Sequence, residues 1–73
     1  MSEKEKLALL EETLEADEGS LSAEMGLDEV ESYDSLARLS IVVMMEDHFH
    51  KKVSANDIRA FQTVGDILRF MEK

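Results

Sequence analysis

The apolar residues of this chain recur at helical spacing everywhere except in one long stretch near the middle. Across residues 2–16, Leu7, Leu10 and Leu14 follow the i, i+3, i+7 rule, Ala8 and Leu9 widen the stripe, and Glu11 is its one polar exception. A first helix follows. Residues 17–34 contain Gly19, Gly26, Ser20, Ser22 and Ser32 without a sustained period, which predicts a long loop. Leu21, Met25, Leu27 and Val30 punctuate it, and apolar residues in so long a loop are expected to pin it to the core, with short helical turns between them.

Residues 35–50 are the most apolar stretch, and their IVVMM run has the local propensity of a strand because three β-branched residues are adjacent. A helix is the better reading. No second strand is present to pair with the run, and Ile41, Met45 and Phe49 keep i+4 spacing through it. As a helix its apolar residues cover more than half the circumference, so part of that face is expected to stay exposed and to contact something. Residues 53–62 predict a short third helix with Ser54 as its N-cap and with Ile58 and Phe61 pointing inward. From Thr63 onward, Val64, Ile67, Leu68 and Met71 carry a fourth helix close to the C-terminus. The expected fold is all-α: a small four-helix bundle with a long loop between the first and second helices and a short third helix, in a single domain spanning residues 1–73.

The helix starts share a signature. Ser2 with Glu5, Ser54 with Asp57 and Thr63 with Asp66 pair a hydroxyl with an acid three positions on, the reciprocal pattern that opens helices. Ser35 stands where the second helix begins, in the position of an N-cap, yet three residues on stands Arg38 in place of an acid. Its hydroxyl is therefore free of a reciprocal acid, and a phosphate ester there would lie at a helix N-terminus, where unpaired N–H groups and the helix dipole favour an anion.

Charge narrows the partners. The chain has 8 Lys and Arg against 17 Asp and Glu, which disfavours nucleic acid and anionic membranes and favours basic protein surfaces. Residues 1–34 hold two bases and twelve acids, a balance of −10, whereas residues 35–73 balance at +1; the acidity leads up to Ser35. At 73 residues the core is thin, with only about 60% of the unfolded surface buried, so a dry catalytic pocket is not expected and no base is placed for Ser35. There is no Cys, so any thiol chemistry needs a group added from outside. His48 and His50 lie about 200° apart on a helix and cannot share a metal ion there; helix-end polar residues are the simpler reading. An EF-hand starting at Asp17 would place Gly19 and Leu21 where oxygen ligands belong. The five Met residues are read mainly as core filler. The start, MSEKEKLALLEE, has no apolar h-region, and no run nears the roughly 20 residues of a membrane span; a cytoplasmic monomer is the expectation.

The segment DSLARLSIVVMMEDHF (residues 34–49), followed by VSANDI and FQTVGDIL, resembles the acyl carrier proteins from the first helix to the fourth. The resemblance rests on D-S-L opening the second helix, the spacing from it to Glu46, Asp47 and Phe49, and the T-V start of the fourth. It implies that Ser35 receives 4′-phosphopantetheine from coenzyme A through a phosphopantetheinyl transferase. The arm's thiol would then carry acyl groups as thioesters, the chain itself not being an enzyme. The partners implied are acyl-transferring and acyl-modifying enzymes of fatty acid, lipid or polyketide-type biosynthesis with basic docking surfaces; neither nucleic acid nor membrane insertion is. Carried over by position, Asp34 and Leu36 flank the attachment site as contacts, and Glu46 and Asp47 meet basic partner residues.

Two departures from the family pattern qualify this. Glu31, Ser32 and Tyr33 replace the usual Gly-containing stretch before Asp34; and where fatty-acid carriers place acids early in the second helix, Ala37 and Ser40 stand, while Arg38 adds a positive charge. The second departure suggests a specialised carrier, with Arg38 altering partner contact, and Tyr33 is expected to pack over the arm. A peptidyl or aryl carrier of the same fold, or an unmodified acidic helical adaptor in which Ser35 is a simple cap, are the alternatives.

Overall fold

The computed structural model describes residues 2–72. The helices are α1 (Glu3–Thr13), α2 (Ser35–Phe49), α3 (Ala55–Ala60) and α4 (Val64–Glu72), with a 3₁₀ turn at Leu27–Glu29 inside the long loop. Each hydroxyl–acid pair seen in the sequence closes as a reciprocal cap. Glu5 N–H donates to Ser2 Oγ (3.2 Å) and Ser2 N–H to Glu5 Oε1 (3.0 Å). Asp57 N–H donates to Ser54 Oγ (3.1 Å) and Ser54 N–H to Asp57 Oδ2 (3.0 Å). At α4, Asp66 N–H donates to Thr63 Oγ1 (3.2 Å), while the Gln62 and Thr63 N–H groups converge on Asp66 Oδ2 (2.9 and 3.0 Å). The caps lie just outside the helices they start, so α1, α3 and α4 begin one or two residues later than the apolar pattern alone predicts.

The helix ends also differ from the periodicity. α1 stops at Thr13 because Glu15 takes a left-handed backbone (φ 57°). Ala16 N–H then reaches the Glu11 carbonyl (2.8 Å) and Glu15 N–H the Glu12 carbonyl (3.2 Å), a Schellman closure. His50 (φ 54°) ends α2 in the same left-handed region.

The core is built from Leu10 and Leu14 of α1, Ala37, Ile41, Met44 and Met45 of α2, and Val64, Ile67, Leu68 and Met71 of α4. Leu21, Leu27 and Val30 of the long loop join it, with Met25 half-buried against it, as apolar punctuation of that loop predicts. Three of the five Met residues are buried, which fits their role as adaptable core filler. At six residues α3 is too short to hold itself by propensity. Its Ile58 is half-buried, and Phe61 just beyond it meets Phe70 of α4 edge-on, with ring centroids 5.7 Å apart.

Polar contacts that periodicity does not reveal hold the bundle in register. Glu11, the exception in the α1 stripe, is buried, and its Oε2 accepts the Leu21 N–H (3.1 Å), which anchors the start of the loop. Further along, Leu27 N–H donates to the Gln62 carbonyl, Val64 N–H to that of Met25 and Gly65 N–H to that of Ala23, each at 2.9 Å. The loop thereby satisfies the otherwise unpaired N–H groups at the head of α4. At the opposite end of α4, Lys51 Nζ donates to the Phe70 and Met71 carbonyls (2.9 and 3.0 Å), and the buried Lys6 of α1 pairs with Glu72.

Candidate functional site

Ser35 is the first residue of α2 and is exposed. It does not cap the helix, contrary to the sequence reading. Asp34 is the N-cap: its backbone is extended (φ −129°, ψ −166°), and its Oδ1 accepts the Ala37 N–H at 2.9 Å. The Asp34 carbonyl accepts the Arg38 N–H at 3.0 Å. The backbone decides it, since a cap residue is extended, as Asp34 is, whereas Ser35 is already in the helix, and the Asp34 oxygen reaches the N–H three residues on, that of Ala37. An acid here also faces the positive end of the helix dipole. The D-S pair thus divides the work, with Asp34 closing the helix and the Ser35 hydroxyl left without a hydrogen-bond partner among the described residues. The Ser35 and Leu36 N–H groups likewise have no acceptor among the described residues.

One face of α2 runs away from this serine as an exposed apolar stripe, with Leu36, Leu39 and Val43 exposed by 74%, 60% and 50%. Their i, i+3, i+7 spacing aligns them on one side of the helix, and Glu46 and Asp47, both exposed, extend the helix surface beyond them. The over-wide apolar face of α2 is therefore real: Ile41, Met44 and Met45 take the core side and this stripe takes the outside. Leu39 and Val43 were legible at that spacing from Leu36 but were not separable from the core set. A groove between α1 and α2, lined by Leu9, Glu12, Thr13, Leu39, Val43 and Asp47, flanks the stripe.

On the other flank the Arg38 guanidinium lies over the Tyr33 ring, 5.4 Å from its centroid. Ala37 is buried, so its failure to be acidic changes nothing on the surface. Ser40 is half-buried, with its hydroxyl donating to the Leu36 carbonyl at 3.0 Å. His48 lies in the last turn of α2 and His50 just past its end. Among the described residues no three His, Asp or Glu side chains gather where a metal ion could be held, and no helix is long and apolar enough to cross a membrane.

An exposed primary hydroxyl at the head of a capped helix, with no general base beside it, is a group for another protein's active site to modify rather than a nucleophile in its own right. The family model for the phosphopantetheine attachment site matches residues 7–71, nearly the whole chain, and the chain belongs to that family. It is an acyl carrier protein by family, a small helical bundle whose cofactor is covalent 4′-phosphopantetheine, and the family is one of carriers rather than catalysts. The acyl carrier protein of Borreliella burgdorferi (strain ZS7) is 27% identical over 66 residues, covering 90% of this chain and 82% of that protein. The acyl carrier protein of Thermotoga maritima is 33% identical over 66 residues with the same coverage. No solved structure matches significantly.

Proposed function

We propose that the Ser35 hydroxyl is where the phosphopantetheine arm is attached, and that the 73 residues act as one carrier domain presenting acyl thioesters to enzymes of fatty acid, lipid or polyketide-type biosynthesis. The observation that carries this is the free, exposed Ser35 Oγ at the head of α2, with Asp34 making the cap in its stead. In loading, the transferase removes the hydroxyl proton, the serine oxygen forms a new P–O bond, and the adenosine bisphosphate portion of coenzyme A leaves. The unpaired Ser35 and Leu36 N–H groups and the helix dipole favour the resulting phosphodiester anion. The arm supplies the thiol that this Cys-free chain lacks.

Partner enzymes dock on the face that begins at Ser35. Asp34 and Leu36 flank the arm, the stripe continues through Leu39 and Val43, and Glu46 and Asp47 meet basic residues of the partner. Charge complementarity of this kind speeds encounter and sets specificity, while its salt sensitivity suits a carrier that must let go. To test the attachment, folded protein is incubated with coenzyme A and a promiscuous phosphopantetheinyl transferase and then weighed. The wild type should gain one arm and Ser35→Ala none; a gain that persists in Ser35→Ala, or no gain by the wild type, overturns the proposal.

A specialised pathway is favoured by two features of the start of α2: exposed Arg38 adds a positive charge, and half-buried Ser40, on another side of the helix, is neutral, where a partner built for acids expects negative charge. A general malonyl transferase should therefore turn over Arg38→Thr combined with Ser40→Glu faster than the wild type. Equal turnover of the two would remove this reading.

A further inference from the structure

Arg38 is the only Lys or Arg between Lys6 and Lys51, and it stands among acids: Asp28, Glu29, Glu31 and Asp34 precede it within ten residues. Carboxylates are the ordinary partners of an exposed guanidinium, yet among the described residues the ion pairs are Lys6 with Glu72 and Arg69 with Asp66. Arg38 instead lays its guanidinium over the Tyr33 ring, at 5.4 Å from the centroid. A cation over a ring uses none of its N–H groups in conventional hydrogen bonds, so they stay available among the described residues for a phosphate, which a guanidinium meets with two parallel hydrogen bonds.

Position makes this more than a loose surface charge. Arg38 lies three residues after Ser35, so the two share a face of α2, and long helical side chains lean back toward the helix N-terminus. Tyr33, half-buried two residues before Ser35, holds the guanidinium on that side. A phosphodiester on Ser35 would bring a permanent negative charge onto the residue next to Asp34, in a segment that already holds Glu31. The dipole of α2 offsets part of that repulsion, and a cation one turn away offsets more.

We propose that Arg38, held by Tyr33, is a positioning residue for the arm: its guanidinium takes the phosphodiester oxygens at Ser35 and restrains the first segment of the arm at the head of α2. This rests on Ser35 being the attachment site. It gives the unusual cation a function within the carrier itself, in addition to any contact with a partner.

The test uses the full chain in apo and loaded forms, loading being verified by mass, with Arg38→Gln, Arg38→Lys and Tyr33→Leu variants checked for wild-type circular dichroism. In the wild type the Arg38 Nε–Hε resonance should move on loading, and the ³¹P resonance should lie away from that of a free phosphopantetheine diester. Raising salt should return both toward their free positions, because an exposed pair is screened. Arg38→Gln should lose the ³¹P displacement and release the arm amides to free-chain relaxation. Arg38→Lys, a point charge without the fork, and Tyr33→Leu, which leaves the cation unplaced, should each retain only part of it. If the mass increases but Arg38 Nε–Hε stays where it is in the apo form, and ³¹P is the same in wild type and Arg38→Gln, the role of Arg38 is overturned while Ser35 attachment stands. If the mass does not increase, the attachment fails and takes this inference with it.

Discussion

Gly65 N–H donates to the Ala23 carbonyl across 2.9 Å, and the approach is so close that a Cβ on Gly65 would lie 2.8 Å from that same oxygen. One contact thus joins the head of α4 to the loop that leads to Ser35, and it needs a residue without a side chain. Because the obstructing atom belongs to the backbone, it cannot swing aside. Gly65→Ala should destabilise by about 1–3 kcal/mol, the range of core overpacking. A thermal melt checks it, with a Tm drop of about 4–8 °C expected per kcal/mol for a domain of this size.

The division of labour between Asp34 and Ser35 separates stability from modification. Asp34→Ala removes the oxygen that accepts the Ala37 N–H and should cost about 1 kcal/mol. Ser35→Ala removes a hydroxyl without partners among the described residues and should stay within about 0.5 kcal/mol of the wild type. Urea unfolding of both variants measures this, and the reverse ranking would mean that Ser35 is the cap.

Glu15 is a weak point at the end of α1. It occupies a left-handed backbone (φ 57°) that suits glycine, and it puts a negative charge at the negative end of the helix dipole. Relief of both should outweigh the extra freedom that glycine gives the unfolded chain. Glu15→Gly is expected to stabilise by about 0.5–1 kcal/mol, readable as a raised Tm with loading at Ser35 unchanged.

Three carboxyls are held below their ordinary values. For Glu5 the cause is first the Ser2 N–H and then the Ser2 hydroxyl; for Asp66 it is the Gln62 and Thr63 N–H groups; for Glu72 it is the hydrogen bond and then the charge of Lys6. A carboxyl lowered in the folded state contributes stability that is present above its ordinary value, 4.5 for Glu5 and Glu72 and 3.8 for Asp66, and is lost as pH falls through the lower folded value. Acid also relieves the self-repulsion of a chain with net charge −9, so the informative quantity is a difference between variants. Glu72→Gln leaves the buried Lys6 ammonium without its carboxylate. Its Tm should lie below the wild type at neutral pH, and the gap should narrow as pH falls below 4.5. A gap that is constant with pH would mean that the charge of Glu72 contributes nothing to stability.

Much of this molecule is written locally. The three hydroxyl–acid caps, the i, i+3, i+7 stripes of α1 and α4 and the i+4 series of Ile41, Met45 and Phe49 depend on residues within a turn or two of one another, so they were legible from spacing. The D-S-L segment with its acids and Phe49 pointed to the carrier family on the same local terms, and the family match over residues 7–71 agrees. What required the tertiary structure was every choice between equivalent local options. Asp34 and Ser35 are both good caps, and only the backbone path into α2 selects Asp34. Nine apolar residues of α2 look alike in sequence, and only the packing of α2 against α1 and the rest of the core puts Met44 inside and Leu39 outside. Glu11 reads as a blemish in its stripe, and Gly65 draws no notice, until Leu21 and Ala23, distant in sequence, are brought beside them. Backbone hydrogen-bonding groups buried by that meeting must find partners, a demand that no single stretch of the chain can express.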